Sequence, residues 1–541
     1  MLTPPDARDS LWSLIAQRCC DDAQSIAFID GEQPISCQAF RDLCERTTNW
    51  LLAQDVQPGD RVAVWLVNRL EWLALLFGLA RLGAILVAVN TRFRSEEITQ
   101  LLSKSGARFL VLQQSFRSID FAAILDGVPA TALPALEGLF MLADDAASAH
   151  TLPSVLLGLP VRRFAPTVGA LPELATDLQQ PVILFTTSGT TKGPKLVMHP
   201  QRTLRGHAHD CARAFGLDQP GAVMLAMVPW CGVYGLMTAL SAFAGGAPIV
   251  LMDAFDAPRA VQLLKQYSVT HAFGSDEIFS RIMEVIAESA EQRPFPAARC
   301  FGFGAFTSSF TAQALRAWQR GLPLLGMYGS SEVLSLFAVQ PASLPVEQRI
   351  EGGGQPVCPA AKVRIRDAKD PTRLLPPGHS GEIEISAPSN FIGYFGDDEA
   401  TTAAVREDGF FRTGDLGYLR EDGSFVFQTR IGDAIRLGGF LVNPVDIETV
   451  LKQLNGVGDA QVAAVEINGA LRVVAFVIRA TGSAVAATTL IEQMRARVAP
   501  FKVPARLWFV DSYPVTHSAN GVKTQRNKLY EIALARLAKE V

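Results

Sequence analysis

Short apolar runs alternate with segments of helical period from about residue 25 to residue 340. Arg61-Val-Ala-Val-Trp-Leu predicts a strand, Leu70 to Leu82 a helix, and Ala84-Ile-Leu-Val-Ala-Val a second strand. Glu96 to Lys104 continues as a helix and Arg108-Phe-Leu-Val-Leu as a strand. Runs this uniformly apolar belong to strands buried on both faces, so the alternation predicts parallel sheets covered by helices. Residues 128–180, rich in Ala, Leu and Pro, lack a period and predict an irregular connection. The run Pro181-Val-Ile-Leu predicts a further strand.

The pattern changes near residue 350. Lys362-Val-Arg-Ile-Arg, Gly381-Glu-Ile-Glu-Ile-Ser and Ser424-Phe-Val-Phe-Gln alternate apolar with polar positions, which predicts a sheet with one wet face. Beyond Arg430, helices at 444–454 and 487–498 and strands at 461–466, 472–478 and 506–510 outline a small α+β unit of about 110 residues. The expected organisation is an α/β protein with a large N-terminal domain, 1–430, and a small C-terminal domain, 431–541.

Composition narrows the classes. A chain of 541 residues exceeds one ordinary core, and 49% hydrophobic with 19% charged residues is a globular balance. A formal net charge of −4 argues against a nucleic-acid partner. The eight cysteines form no spaced metal quartet and suit reduced thiols in the cytoplasm. Met1-Leu-Thr-Pro-Pro-Asp lacks the regions of a signal peptide, and Ala-Lys-Glu-Val is no peroxisomal address. Leu70 to Val89 is the most membrane-like stretch. Glu71, Arg81 and Gly83 interrupt it, so a buried helix and strand are expected and no integral membrane segment.

Candidate chemistry concentrates in five stretches. Phe185-Thr-Thr-Ser-Gly-Thr-Thr-Lys-Gly-Pro-Lys195 offers hydroxyls, glycine backbone and ammonium groups to one polyanion, without being a Walker A sequence. Charge-assisted bonds from its lysines are worth about 1.5–3 kcal/mol each when well formed. Met327-Tyr-Gly-Ser-Ser-Glu332 offers an aromatic ring for a base, a hydroxyl for phosphate and a carboxylate for Mg²⁺; alone it also reads as a strand, a turn and a serine-capped helix. Phe410-Phe-Arg-Thr-Gly-Asp-Leu-Gly417 places Asp415 in a tight turn, either to accept ribose hydroxyls or to make an Asx turn. Thr429-Arg-Ile-Gly-Asp-Ala-Ile-Arg-Leu-Gly-Gly-Phe440 sits at the composition boundary and is rich in hinge-permitting glycines. Thr516-His-Ser-Ala-Asn-Gly-Val-Lys523 reads as a polar loop.

In this order the five stretches resemble the adenylate-forming superfamily of acyl-CoA synthetases, peptide-synthetase adenylation domains and beetle luciferases. The resemblance spans about residues 10–535 and is strongest to acyl-CoA synthetases. It implies two β-α-β sheets plus a distorted β-barrel in the large domain and a small domain that rotates between two half-reactions. ATP and a carboxylic acid give an acyl-adenylate and pyrophosphate, and a thiol then displaces AMP. The resemblance implies that Thr187, Ser188, Gly189, Thr190, Thr191 and Lys195 line the triphosphate and that Gly304, Ala305 and Tyr328 border adenine. Ser331 stands where the family usually has threonine, and Glu332 is the expected magnesium ligand. Asp415 would hold the ribose, Arg430 and Arg436 would add nucleotide contacts, and Gly438 and Gly439 would face coenzyme A. Lys523 would bridge the carboxylate and the α-phosphate, with Lys528 the other lysine nearby.

Departures bear on substrate and motion. Gly432 replaces the usual charged hinge residue, and Gly438 and Arg436 replace family lysines. Gly232, in Pro229-Trp-Cys-Gly-Val-Tyr-Gly, stands where a bulkier residue is usual, so it either opens an acyl pocket that it lines with Tyr234 or merely relieves packing. Ser275 and Asp276 either start a helix or close that pocket with polar groups. The α-amine aspartate of amino-acid-activating members has no counterpart at 231–234, which lowers that reading. The expectation is an acid–CoA ligase for a fatty or aromatic acid, using ATP, Mg²⁺ and coenzyme A. The alternatives are an acyl-AMP ligase loading a separate carrier protein and a non-catalytic nucleotide-binding member of the fold. A nicotinamide oxidoreductase, suggested by Gly302-Phe-Gly304, lacks a full Gly-x-Gly-x-x-Gly. A homodimer is left open.

Overall fold

The computed structural model of the chain describes residues 9–143, 152–173, 177–187, 195–287, 291–304, 310–431, 435–437, 440–442, 444–467, 470–498, 502–518 and 521–539. Two large sheets dominate. A nine-stranded sheet runs in the order Gly393–Tyr394, Lys195–Pro200, Pro181–Thr187, Ile85–Ala88, Arg61–Trp65, Phe109–Gln113, Gly138–Leu142, Leu159–Arg163 and Val155–Leu156. A thirteen-stranded sheet begins with Gln33–Ser36 and Ile26–Asp30. It passes through parallel strands Ile249–Leu251, Met224–Ala226, His271–Ser275, Cys300–Gly304 and Leu324–Tyr328. It continues antiparallel through Ala338–Val339, Gly353–Pro356, Phe425–Arg430, Phe411–Leu419, Gly381–Ser386 and Lys362–Arg366.

The helix Leu70–Leu82 has the predicted bounds and is buried on nearly every face, including Trp72, Leu75, Leu76 and Leu79. Its membrane-like composition is therefore that of a helix enclosed within the protein. Gly83 ends it at φ +73°, a left-handed conformation that a Cβ disfavours. Among the described residues no helix is long and apolar enough to cross a membrane.

Asn68, just beyond the strand Arg61–Trp65, joins the two sheets. Its Nδ2 donates to the Val228 and Met252 carbonyls at 3.0 and 3.2 Å, and its Oδ1 accepts from the Trp230 N–H at 2.7 Å. One buried amide thus satisfies backbone groups that would otherwise be stranded in an apolar interior.

The residues beyond 430 include a three-stranded sheet. Val457–Ile467 pairs antiparallel with Ala470–Arg479, which pairs parallel with Arg506–Phe509. Helices Pro444–Lys452 and Ala487–Arg495 match the predicted ones with shorter ends. The polar loop expected at 516–523 is instead a hairpin, Val515–Ser518 with Gly521–Thr524, and a helix Arg526–Leu537 follows. Arg526 anchors that helix through buried Glu448 at 2.7 Å and the Val462 carbonyl at 2.9 Å.

Two other expectations are corrected. The connection 128–180 contains Gly138–Leu142 and Leu159–Arg163, which extend the nine-stranded sheet in parallel. Gly and Pro near those strands masked their pattern. The strand Gly381–Ser386 has no wet face, because Glu382 and Glu384 are both buried. Glu384, at 0% exposure, takes guanidinium bonds from Arg364 (2.7 Å), Arg366 (2.9 Å) and Arg406 (2.7 Å). Alternation by itself cannot distinguish solvent from a buried ion cluster.

Burial alone would raise the Glu384 carboxyl, but the hydrogen bonds from Arg366, Arg364 and Arg406 outweigh it and hold it below the usual range. A depressed carboxylate stabilises the fold above its unfolded pKa and loses that contribution as pH falls through the folded value. Glu384→Ala is expected to cost about 3–5 kcal/mol at neutral pH by leaving the arginines without their shared partner. Chemical denaturation should show the difference between variant and parent shrinking as pH is lowered below 4.5.

Candidate active site

The strands His271–Ser275, Cys300–Gly304 and Leu324–Tyr328 lie side by side and parallel, with Ser275 opposite Gly304 and Phe303 opposite Gly326. Their C-terminal ends therefore open on one edge, the usual ligand edge of such a sheet. Gly302 permits the close packing of these strands, since a Cβ there would lie 2.6 Å from the Met327 sulfur. Tyr234, on helix Val233–Gly245, shares its hydroxyl hydrogen between the Gly274 and Gly302 carbonyls, at 3.1 Å each. It is buried, and burial pushes its phenol well above the ordinary range. Tyr234 is thus fixed in place, with its hydroxyl hydrogen already used. Gly232 is the extended residue that begins this helix, at φ −100° and ψ 144°.

Ser275 resolves as a helix cap. Its Oγ accepts from the Ile278 N–H at 3.3 Å at the start of helix Asp276–Ala287. Asp276 Oδ1 accepts from the Glu277 N–H at 3.0 Å, and both Ser275 and Asp276 are buried.

Tyr328, ending its strand, donates its hydroxyl to Asp415 Oδ2 at 2.6 Å. Burial and the neighbouring Asp415 charge hold its phenol far above the ordinary range. Asp415 is not in a tight turn as expected but within the strand Phe411–Leu419, after Gly414 at φ +68°. It lies directly opposite Arg430, whose Nε is 3.0 Å from Asp415 Oδ1 and whose Nη1 donates to the Thr413 carbonyl at 2.9 Å. Two motifs fifteen residues apart in sequence are thus one cross-strand pair.

Ser331 and Glu332 occupy a short 3₁₀ turn, Ser331–Val333, and not the capped helix that the motif alone allowed; Ser330 makes no side-chain cap. The turn follows a strand of one sheet and is held by the other. His199, on Lys195–Pro200, bonds the Ser331 carbonyl through Nε2 at 2.7 Å, and the Phe391 N–H donates to the Glu332 carbonyl at 2.7 Å. Burial lowers His199 to about 3, so it is a neutral Nε2–H donor. Tyr394 donates its hydroxyl to Glu332 Oε1 at 3.0 Å, and the Lys195 ammonium lies 4.5 Å from the Tyr394 ring centroid. Burial, followed by the Glu332 charge, raises the Tyr394 phenol.

His199, Tyr394 and Phe391 were not singled out in the sequence. His199 lies four residues beyond Lys195 on the same strand, which is the one local hint. Tyr394 is far from both groups it joins, and nothing in its neighbourhood announces them.

Thr187 and Lys195 are paired across the antiparallel strands Pro181–Thr187 and Lys195–Pro200. The loop between them therefore has fixed ends. Ser188, Gly189, Thr190 and Thr191 lie outside the described residues, as do Ala305, Gly432, Gly438 and Gly439. Gly304 ends its strand beside Ser275. Arg436 is on the strand Ile435–Leu437 opposite Leu441, and Lys523 on Gly521–Thr524 opposite Thr516.

Among the described residues no three His, Cys, Asp or Glu groups gather as a metal site. Glu332 is only partly buried, and its recorded side-chain bond is at Oε1. One such carboxylate beside phosphate oxygens fits Mg²⁺, which takes few protein ligands.

The sequence profile described as AMP-binding enzyme matches residues 15–395, and that of the AMP-binding enzyme C-terminal domain matches residues 446–520. A 2-succinylbenzoate–CoA ligase of Geobacillus kaustophilus (strain HTA426) is 30% identical over 505 residues, covering 92% of this chain and 94% of the relative. A fatty acid–[acyl-carrier-protein] ligase, ScoC, of Streptomyces coeruleorubidus is 29% identical, covering 87% of this chain and 86% of the relative. The crystal structure of ATP-bound MatB from Rhodopseudomonas palustris superposes with a TM-score of 0.79 at 23% identity, covering 97% of this chain and 99% of that one. The last likeness concerns the fold.

Tyr394→Phe removes the bond to Glu332 while keeping the ring under Lys195. It is expected to raise the Mg²⁺ concentration needed for half-maximal ATP binding several-fold and to leave affinity at saturating Mg²⁺ nearly unchanged. Calorimetric titration of ATP at stepped Mg²⁺ concentrations checks this.

Proposed function

The chain belongs to the AMP-binding enzyme family, and from that premise we propose that it is an ATP-dependent, AMP-forming acid–CoA ligase for a fatty or aromatic carboxylate. The observation that carries the reading is the near full-length likeness to a CoA ligase. It is joined by a site edge where buried Tyr328 and Asp415, paired with the exposed Arg430, lie at the same strand end as the Ser331–Glu332 turn.

A carboxylate is a poor electrophile, and conversion to a mixed anhydride with AMP supplies a good leaving group. Asp415, whose carboxylate also takes Tyr328 and Arg430, accepts the ribose hydroxyls. Lys195 and the loop after Thr187 hold the triphosphate, and Ser331 adds a hydroxyl. Glu332 holds Mg²⁺, which neutralises phosphate charge when bound. Lys523 stabilises the charge that develops as the carboxylate attacks the α-phosphate. The acyl group lies against Gly232, Tyr234 and the Ser275–Asp276 helix start. Residues 1–430 carry the nucleotide and acyl sites, and residues 431–541 bring Lys523 in for adenylation and Gly438 and Gly439 to the thiol half-reaction. A cytoplasmic location fits eight unpaired cysteines.

The likeness to ScoC favours a second reading, in which the acceptor thiol is on a separate carrier protein. Pyrophosphate release measured over fatty, aryl and dicarboxylic acids, with and without CoA, tests both. Turnover with at least one acid and formation of its CoA thioester are expected. Adenylate accumulation that CoA does not discharge would favour the carrier reading, and no acid-dependent pyrophosphate release would overturn both.

Lys523→Ala is expected to lower acid-dependent ATP–pyrophosphate exchange by about 10²–10³-fold. Thioester formation from supplied acyl-adenylate should be largely spared. Equal losses in the two assays would remove Lys523 from the adenylation step.

A further inference from the structure

Leu334, Ser335 and Leu336 follow the Ser331–Val333 turn with φ of +63°, +51° and +44°. Three consecutive residues bearing a Cβ thus occupy the left-handed region, which such residues normally avoid. Backbone strain of this kind persists where its surroundings over-determine it, and it lies directly behind the residue proposed to hold the metal.

Beside the Phe391 N–H on the Glu332 carbonyl and the Cys211 thiol on the Leu336 carbonyl, the surroundings include two histidines. His199 bonds the Ser331 carbonyl and His207 the Ser335 carbonyl, each through Nε2 at 2.7 Å. They come from consecutive elements, the strand Lys195–Pro200 and the helix Gln201–Phe215. Both rings are buried, and neither Nδ1 has a recorded partner among the described residues. An apolar side chain would fill either position without burying an unsatisfied nitrogen. What each histidine adds is the Nε2–H bond. Inside the turn, the Ser335 N–H donates to the Ser330 carbonyl at 2.8 Å and the Phe337 N–H to the Tyr328 carbonyl at 2.9 Å. The histidines hold the two ends of this segment from outside.

We propose that His199 and His207 are positioning residues that clamp the strained turn 331–336 and thereby aim Ser331 and Glu332 at the nucleotide and its metal. They touch neither substrate and act through backbone carbonyls. The inference rests on the reading of Glu332 as the metal contact.

The test uses the full chain and Mn²⁺ binding, followed by electron paramagnetic resonance, in the presence of α,β-methylene ATP. Pyrophosphate exchange is measured alongside. His199→Leu and His207→Leu are expected to fold, to weaken nucleotide-dependent Mn²⁺ binding about tenfold, and to lower exchange kcat more than they raise the ATP KM. Misplacement of reacting groups by an ångström can cost on the order of 10²-fold in rate. His199→Gln and His207→Gln, which can donate from nearly the same point, should recover most of both. Ser335→Gly added to His207→Leu should also recover binding, because glycine adopts the left-handed turn without a clamp. Equal behaviour of the Leu and Gln variants, or losses confined to thermal stability, would overturn the proposal. Parent protein that binds no Mn²⁺ with nucleotide would instead remove the Glu332 reading beneath it.

Discussion

The hydrogen bond from His199 to the Ser331 carbonyl connects a strand of the nine-stranded sheet to a turn at the end of a strand of the thirteen-stranded sheet. The part-buried carbonyl finds its donor in the opposite layer. Phe391 and Tyr394 repeat the arrangement at the Glu332 carbonyl and carboxylate, and Asn68 at the loops holding Val228, Trp230 and Met252. The relative position of the two sheets is therefore expressed directly in the position of a few polar atoms. Apolar packing alone would leave that position free to slide by a fraction of an ångström.

The carboxylates of the large sheets show how one functional group is given different duties. Glu384 is closed off by three guanidinium groups and serves the fold. Asp415 is buried and held by Arg430 and Tyr328, which fix its direction. Glu332 is partly exposed and, among the described residues, is oriented by the Tyr394 phenol.

Much of this was legible in the sequence. The helix Leu70–Leu82 and the strands Lys362–Arg366 and Gly381–Ser386 follow from periodicity, because each depends on its own residues. The threonine-, glycine- and lysine-rich loop at 186–195, the Tyr328 and Asp415 motifs and Arg430 were visible as local clusters, and their order pointed to the family. What was hidden depends on distance. Glu384 looked solvent-facing because its arginines come from two other segments. Asp415 looked like a turn because Gly414 was read without the facing strand that carries Arg430. Tyr394 and His199 offered no signal, since each acts on an atom far away in sequence. The strands Gly138–Leu142 and Leu159–Arg163 were missed because the Gly and Pro residues beside them break the local pattern, while their place inside the sheet is set by neighbours distant in sequence.

The Glu384 cluster also gives the protein a thermal character. Ion hydration becomes less favourable as temperature rises, so the penalty for keeping this carboxylate and its guanidinium partners out of water shrinks with warming. Apolar burial, which holds most of both sheets, gains no comparable advantage. The strand Gly381–Ser386, which pairs with the strand carrying Asp415, is thus tied to Lys362–Arg366 and to Arg406 by a kind of contact that strengthens, relative to its surroundings, as the protein is heated.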